Sequence, residues 1–65
     1  MDKFQKAVDD YSRAIRLNPK DANAFYNRGV AKTMLGDIVG AHEDWRKAAE
    51  LGHIKAKELT EAKKY

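Results

Sequence analysis

The sequence predicts an all-α protein made of antiparallel helical hairpins stacked in a row. Three observations carry that prediction. Residues recur at a fixed offset of 34: Ala7, Asp10, Ala14 and Leu17 return as Ala41, Asp44, Ala48 and Leu51, while Phe4, Tyr11 and Arg13 are matched by Ile38, Trp45 and Lys47. A period between about 20 and 50 residues marks a stacked architecture, in which each unit buries its apolar face on its neighbours. Apolar residues within each unit are spaced by three and four, the helical interval. Turn-forming pairs separate those stretches, at Asn18-Pro19, Gly36-Asp37 and Gly52-His53.

The first predicted helix runs from Asp2 to Leu17, with Phe4, Ala7, Val8, Tyr11, Ala14 and Ile15 as its stripe. Arg13 and Arg16 lie near its C-terminal end, where cations suit the helix dipole. Pro19 stops it, because the residue before a proline is driven out of the helical region. Asp21 is the expected N-cap of the second helix, Ala22 to Leu35, on which Ala24, Phe25, Ala31 and Leu35 face one way. Gly29 interrupts that helix at a position where glycine is disfavoured by up to ~1 kcal/mol against alanine, the sign of a close helix–helix approach. Gly36 ends the helix and Asp37 caps the next. The third helix, Ile38 to Leu51, carries Ile38, Ala41, Trp45, Ala48 and Leu51, with Trp45 filling the space that the alanines leave. The fourth, Ile54 to Lys64, has only Ile54, Leu59 and Ala62 as apolar contacts, as expected of a lid over the end of a stack.

Sixty-five residues without a cysteine make at most one domain and exclude a disulfide scaffold or a thiolate metal site. No apolar run approaches the ~20 residues of a membrane span, and the N-terminus lacks the apolar core of a signal peptide. The net charge of +3 comes from 13 basic and 10 acidic residues with interspersed signs, so no nucleic-acid stripe is present. A helix-turn-helix reading of Asn18–Asp21 is disfavoured, because the following helix opens without arginine or lysine. The sequence names no compartment; the cytoplasm is favoured.

No catalytic constellation is visible, and neither an enzyme nor a cofactor is expected. His42 and His53 are 11 residues apart; His42 reads as a surface residue and His53 as a capping or solvent one. Asp9, Asp10, Glu43 and Asp44 read as a solvated helix face. Ser12, Thr33 and Thr60 have no base at an interpretable spacing, and there is no phosphate-cradling glycine loop.

Phe25, Gly29, Gly36-Asp37, Ala41, Trp45 and Ala48, with Asn18-Pro19 closing the unit before, resemble the tetratricopeptide repeat family. Tyr26-Asn27-Arg28-Gly29 resembles a common variant of it. The resemblance covers nearly the whole chain and implies a short right-handed solenoid of about one and a half repeats plus a cap. Residues 1–17 would be the second helix of an incomplete repeat, 22–51 a complete repeat and 54–64 the capping helix. Arg28 and Lys32 depart from the leucine and tyrosine common in the family, thinning the apolar stripe, and Gly52-His53 replaces the closing Asn-Pro.

The family's usual function, a non-catalytic protein–protein interaction module with a concave binding face, puts a peptide or partner protein on the second helix. Asn23, Tyr26, Asn27, Val30, Thr33 and Met34 would line that face, Asn27 bonding a ligand backbone and Tyr26 and Met34 packing on side chains. Asn27 and Lys57 match two positions of the carboxylate clamp that holds chaperone tails in some relatives, but Glu61 stands where that clamp has an arginine. The alternative is structural. Phe4, Val8, Tyr11 and Ile15 would present apolar surface that the chain alone does not fully cover. Either the chain is a piece of a longer array, or a homodimer or helix swap completes the stack.

Overall fold

A computed structural model of the chain describes residues 3–61. It contains four α-helices: α1 Lys3–Leu17, α2 Ala22–Met34, α3 Ile38–Glu50 and α4 Ile54–Glu61. Each packs on the next, and the tight connectors make neighbours antiparallel. No strand occurs among the described residues, so the all-α hairpin stack holds. Leu35 and Leu51 are C-caps, each one residue past its helix. The expected ends at Asp2 and Lys64, and Ala62, lie outside the described residues.

The helix ends follow the local sequence. Asp21 Oδ1 accepts a hydrogen bond from the Ala24 N–H at 3.1 Å, and Asp37 Oδ1 accepts one from the Gly40 N–H at 2.9 Å. Each bond satisfies a donor that the first turn leaves free. Gly36 (φ 86) and Gly52 (φ 99) take the left-handed conformation after α2 and α3. The same double closure follows at both. Gly36 N–H donates to Thr33 O and Asp37 N–H to Lys32 O, at 3.0 and 2.9 Å. Gly52 N–H donates to Ala49 O and His53 N–H to Ala48 O, both at 3.0 Å.

The expected close crossing lies between α2 and α3. A methyl group on Gly29 would sit 2.5 Å from Trp45 Nε1 and 3.1 Å from the Ala41 carbonyl oxygen. The Trp45 indole N–H donates to the Tyr26 carbonyl at 3.3 Å, satisfying the polar tip of a ring wedged between helices.

The core is smaller than the apolar stripes suggest. It consists of Phe25 and five alanines, Ala24, Ala31, Ala41, Ala48 and Ala56. Leu35 and Leu59 are exposed, as are Ile38 at 54% and Ile54 at 73%. At a close crossing the short side chains occupy the contact line, whereas longer ones at the hairpin ends overhang it. Ala56, rather than Ile54, is what α4 buries, against Phe25 and Ala48. Ile54 and Leu59 are five residues apart and cannot share one helical face. The slab measures 39 × 25 × 14 Å, a shape in which few side chains are covered on every side.

Candidate functional site

Asn23, Tyr26, Asn27, Val30, Thr33 and Met34 follow one another along α2 at intervals of one and three, and so share a face. Asn23 and Met34 are exposed and the other four are half-buried. Tyr26 is partly committed: its ring stacks on His53, centroids 4.4 Å apart at 15°, and it packs against the Phe25 cluster. Thr33 donates its hydroxyl to the Val30 carbonyl at 2.6 Å, a bond within the helix. The side-chain amides of Asn23 and Asn27 have no hydrogen-bond partner among the described residues, although Asn27 is half-buried. No enclosed cavity accompanies this face among the described residues, so a ligand would lie on it. Lys57 and Glu61, on α4, are both exposed.

The opposite side of α2 holds a polar knot that the sequence reading missed. Asp44, expected on a solvated face, is buried at 4% exposure. Arg28 grips its carboxylate with two prongs, Nε to Oδ2 at 2.9 Å and Nη2 to Oδ1 at 2.8 Å. Lys32 Nζ reaches Oδ2 at 3.2 Å. Arg28 Nη1 donates to Ser12 Oγ on α1 at 3.0 Å, and the guanidinium lies 5.6 Å from the centroid of the Phe25 ring. The hydrogen bonds to Asp44 raise the Arg28 pKa above its ordinary value, burial opposes them, and the attraction of the same carboxylate adds to the rise. The guanidinium therefore stays charged until strongly alkaline pH. Its stabilising effect is complete below the unfolded pKa and is lost only as pH climbs through the higher folded one. Arg28 and Lys32 thus do more than thin a stripe: both tie α2 to α3 through the Asp44 carboxylate, and Arg28 also reaches α1 through the Ser12 hydroxyl. A signal for this existed. Asp44 lies three residues after Ala41 and four before Ala48, on the alanine line itself.

Of the row Phe4, Val8, Tyr11 and Ile15, the last packs against the Phe25 cluster and is therefore engaged within the chain. Val8 and Tyr11 are half-buried and Phe4 is 37% exposed. Asp9 accepts from the Gln5 amide at 3.1 Å across one exposed turn. His42 is less of a surface residue than expected: it is half-buried, with its ring edge-on to Trp45 at 5.5 Å. His53 caps α4, its Nδ1 accepting from the Ala56 N–H at 3.1 Å. Among the described residues no group of three acidic or histidine side chains is placed to hold a metal ion, and no helix is long and apolar enough to cross a membrane.

A family model described as a TPR repeat matches residues 2–36. The chain belongs to the tetratricopeptide repeat (TPR) family. The match takes in α1, the Asn18–Asp21 connector and α2. The chain is similar to the Hsp70-Hsp90 organizing protein of Triticum aestivum, 41% identical over 49 residues, which is 75% of this chain and 8% of the relative. Tetratricopeptide repeat protein 36 of Homo sapiens is 42% identical over 45 residues, 69% of this chain and 24% of the relative. RNA polymerase II-associated protein 3 of Xenopus tropicalis is 43% identical over 49 residues, 75% of this chain and 8% of the relative. The chain therefore spans less than a quarter of these relatives' own lengths. No solved structure matches it. TPR membership makes the chain a protein–protein interaction module at the level of class.

Proposed function

We propose that the TPR chain binds an extended segment of a partner protein along α2, across Asn23, Tyr26, Asn27, Val30, Thr33 and Met34. In this reading 22–51 is the complete repeat, α1 the second helix of an incomplete one, and α4 the cap. The supporting observation is the half-buried Asn27 amide, whose donors and acceptor are unused among the described residues. An amide can pair with both the N–H and the C=O of an extended backbone, while Met34 offers an adaptable apolar contact. The name of the Hsp70-Hsp90 organizing proteins suggests chaperones as partners. Glu61, however, would repel a terminal carboxylate, so an internal segment fits better than an acidic tail.

The test is selection of displayed peptides against the folded chain, then calorimetry of one enriched peptide as amide and as free acid. The two forms should bind alike, and Asn27→Ala should weaken both by about tenfold. Binding untouched by Asn27→Ala and Asn23→Ala would remove α2 from the site. An acidic C-terminal pentapeptide that binds only as the free acid, and loses affinity on Asn27→Ala, would restore the chaperone-tail reading.

A second reading is self-association through α1, and it rests on one observation: none of the residues of α1 is buried. Sedimentation equilibrium at micromolar concentrations tests it. A dimer that Tyr11→Glu dissociates would support it, and a folded monomer would end it.

A further inference from the structure

We propose that His53 is an acid-sensitive latch: the neutral imidazole holds α4 against the stack, and its protonation releases that helix. Helices α2, α3 and α4 open on the same bond. The side chain one residue before the helix accepts from the N–H three residues further on: Asp21 from Ala24, Asp37 from Gly40 and His53 from Ala56, at 3.1, 2.9 and 3.1 Å. Each bond satisfies one of the donors that a first turn leaves free. Two of the acceptors are carboxylates, which ordinarily keep their lone pairs near neutral pH. The third is Nδ1 of an imidazole, a group that ordinarily changes charge between about pH 5 and 8.

Nδ1 accepts only while it carries no proton. Protonation turns it into a donor facing a donor, and it sets a positive charge at the N-terminal end of α4, where the helix dipole disfavours one. Water does not take over the bond. Ala56 has no exposed surface, and its N–H has no other acceptor among the described residues. No new ion pair offsets the loss. The titratable side chains on the elements that meet here are Tyr26 of α2, Lys47 and Glu50 in the last turn of α3, and Lys55, Lys57, Glu58 and Glu61 of α4; Arg28 and Lys32 of α2 are held by Asp44. Among the described residues no carboxylate pairs with the ring, and Glu50 lies 3.9 Å from Lys47 instead. The stacked Tyr26 ring attracts an imidazolium, but that contact returns no acceptor to Ala56 and is weaker than the penalty of a buried donor left unmatched. The helix so released is the one that covers Phe25 and Ala48 with Ala56. Gly52-His53 in place of Asn-Pro therefore makes one of three matching caps responsive to pH.

The experiment is amide hydrogen exchange followed by NMR on the 65-residue chain at about pH 7 and about pH 5.5, with rates expressed as protection factors so that the intrinsic effect of pH drops out. Ala56 protection should fall about fivefold over that step, a loss set by how much imidazole is protonated once α4 has opened. Ala24 and Gly40, capped by aspartates, should keep theirs. The fall should share its midpoint with the titration of the His53 ring resonances and not with that of His42. His53→Asn, which caps through an amide oxygen and takes up no proton, should make Ala56 protection independent of pH in this range, while His42→Gln should leave the fall as it is. Unchanged Ala56 protection in the native chain overturns the proposal, whether or not either variant folds. So does an equal fall at Ala24 and Gly40, which is a loosening of the whole stack. A fall that persists in His53→Asn, or vanishes in His42→Gln, overturns it as well.

Discussion

Helices α1 and α3 carry nearly the same pattern 34 residues apart, yet they sit in different surroundings. In α3, Ala41, Asp44 and Ala48 are buried between α2 and α4. In α1, Ala7 and Ala14 are half-buried, Asp10 is exposed, and no residue is buried. The difference teaches that a helical stripe states what a helix can bury, and its neighbours determine what it does bury. It also separates two fates of one residue type: the same aspartate is a solvated charge on one helix and the centre of an ion cluster on the other.

The largest test of that contrast is removal of each aspartate in turn. Asp44→Ala strands two cations in a part-buried interface and should destabilise the fold by ~3–5 kcal/mol. That is comparable with the whole stability of a core this small, ~3–5 kcal/mol. Circular dichroism should show it largely unfolded at room temperature, while Asp10→Ala melts within ~0.5 kcal/mol of the native chain. Equal losses would break the comparison. The triple replacement Arg28→Leu, Lys32→Tyr and Asp44→Ala sharpens it. An apolar crossing in place of the ion cluster should recover most of what Asp44→Ala loses, because removing every charge avoids an uncompensated one.

Next in size is Ala48→Leu, which forces a larger side chain into a crossing with no exposed surface and should destabilise by ~1–3 kcal/mol. Ala14→Leu, its counterpart on α1, should be nearly neutral in a denaturant titration. Gly29→Ala sets two effects against each other. Helix propensity favours alanine by up to ~1 kcal/mol. The added methyl would meet the Trp45 ring at 2.5 Å, and overpacking of that kind costs ~1–3 kcal/mol, so a net loss is expected, with Trp45→Phe relieving part of it. The smallest effect belongs to the caps: Asp37→Ala removes the bond to Gly40 N–H and should lower the melting free energy by ~1 kcal/mol.

Much of this was legible in the residues. The caps Asp21 and Asp37, the left-handed glycines 36 and 52 and the Gly29–Trp45 crossing all follow from local backbone chemistry or from the repeat period. Of the polar knot only the place of Asp44 on the alanine line was legible; its pairing was not, because a carboxylate is assigned to water by type unless a partner is in view, and its partners lie a helix away. For the same reason Ile38 and Ile54 looked like core and Ala56 did not: hydrophobicity ranks side chains, whereas a close crossing selects small ones. The α2 face was read from helical spacing alone, which placed its six residues on one side but gave no sign that Tyr26 would lean on His53.

By itself the sequence determined the four helices, the stops of the first three, the caps Asp21 and Asp37, and membership of the TPR family, because each depends on interactions within a few residues or on a period that survives without coordinates. Only the tertiary structure decided which of two equivalent aspartates is buried and which side of α1 stays open. Burial is a property of two surfaces in contact, and a pattern written on one helix specifies only its own half.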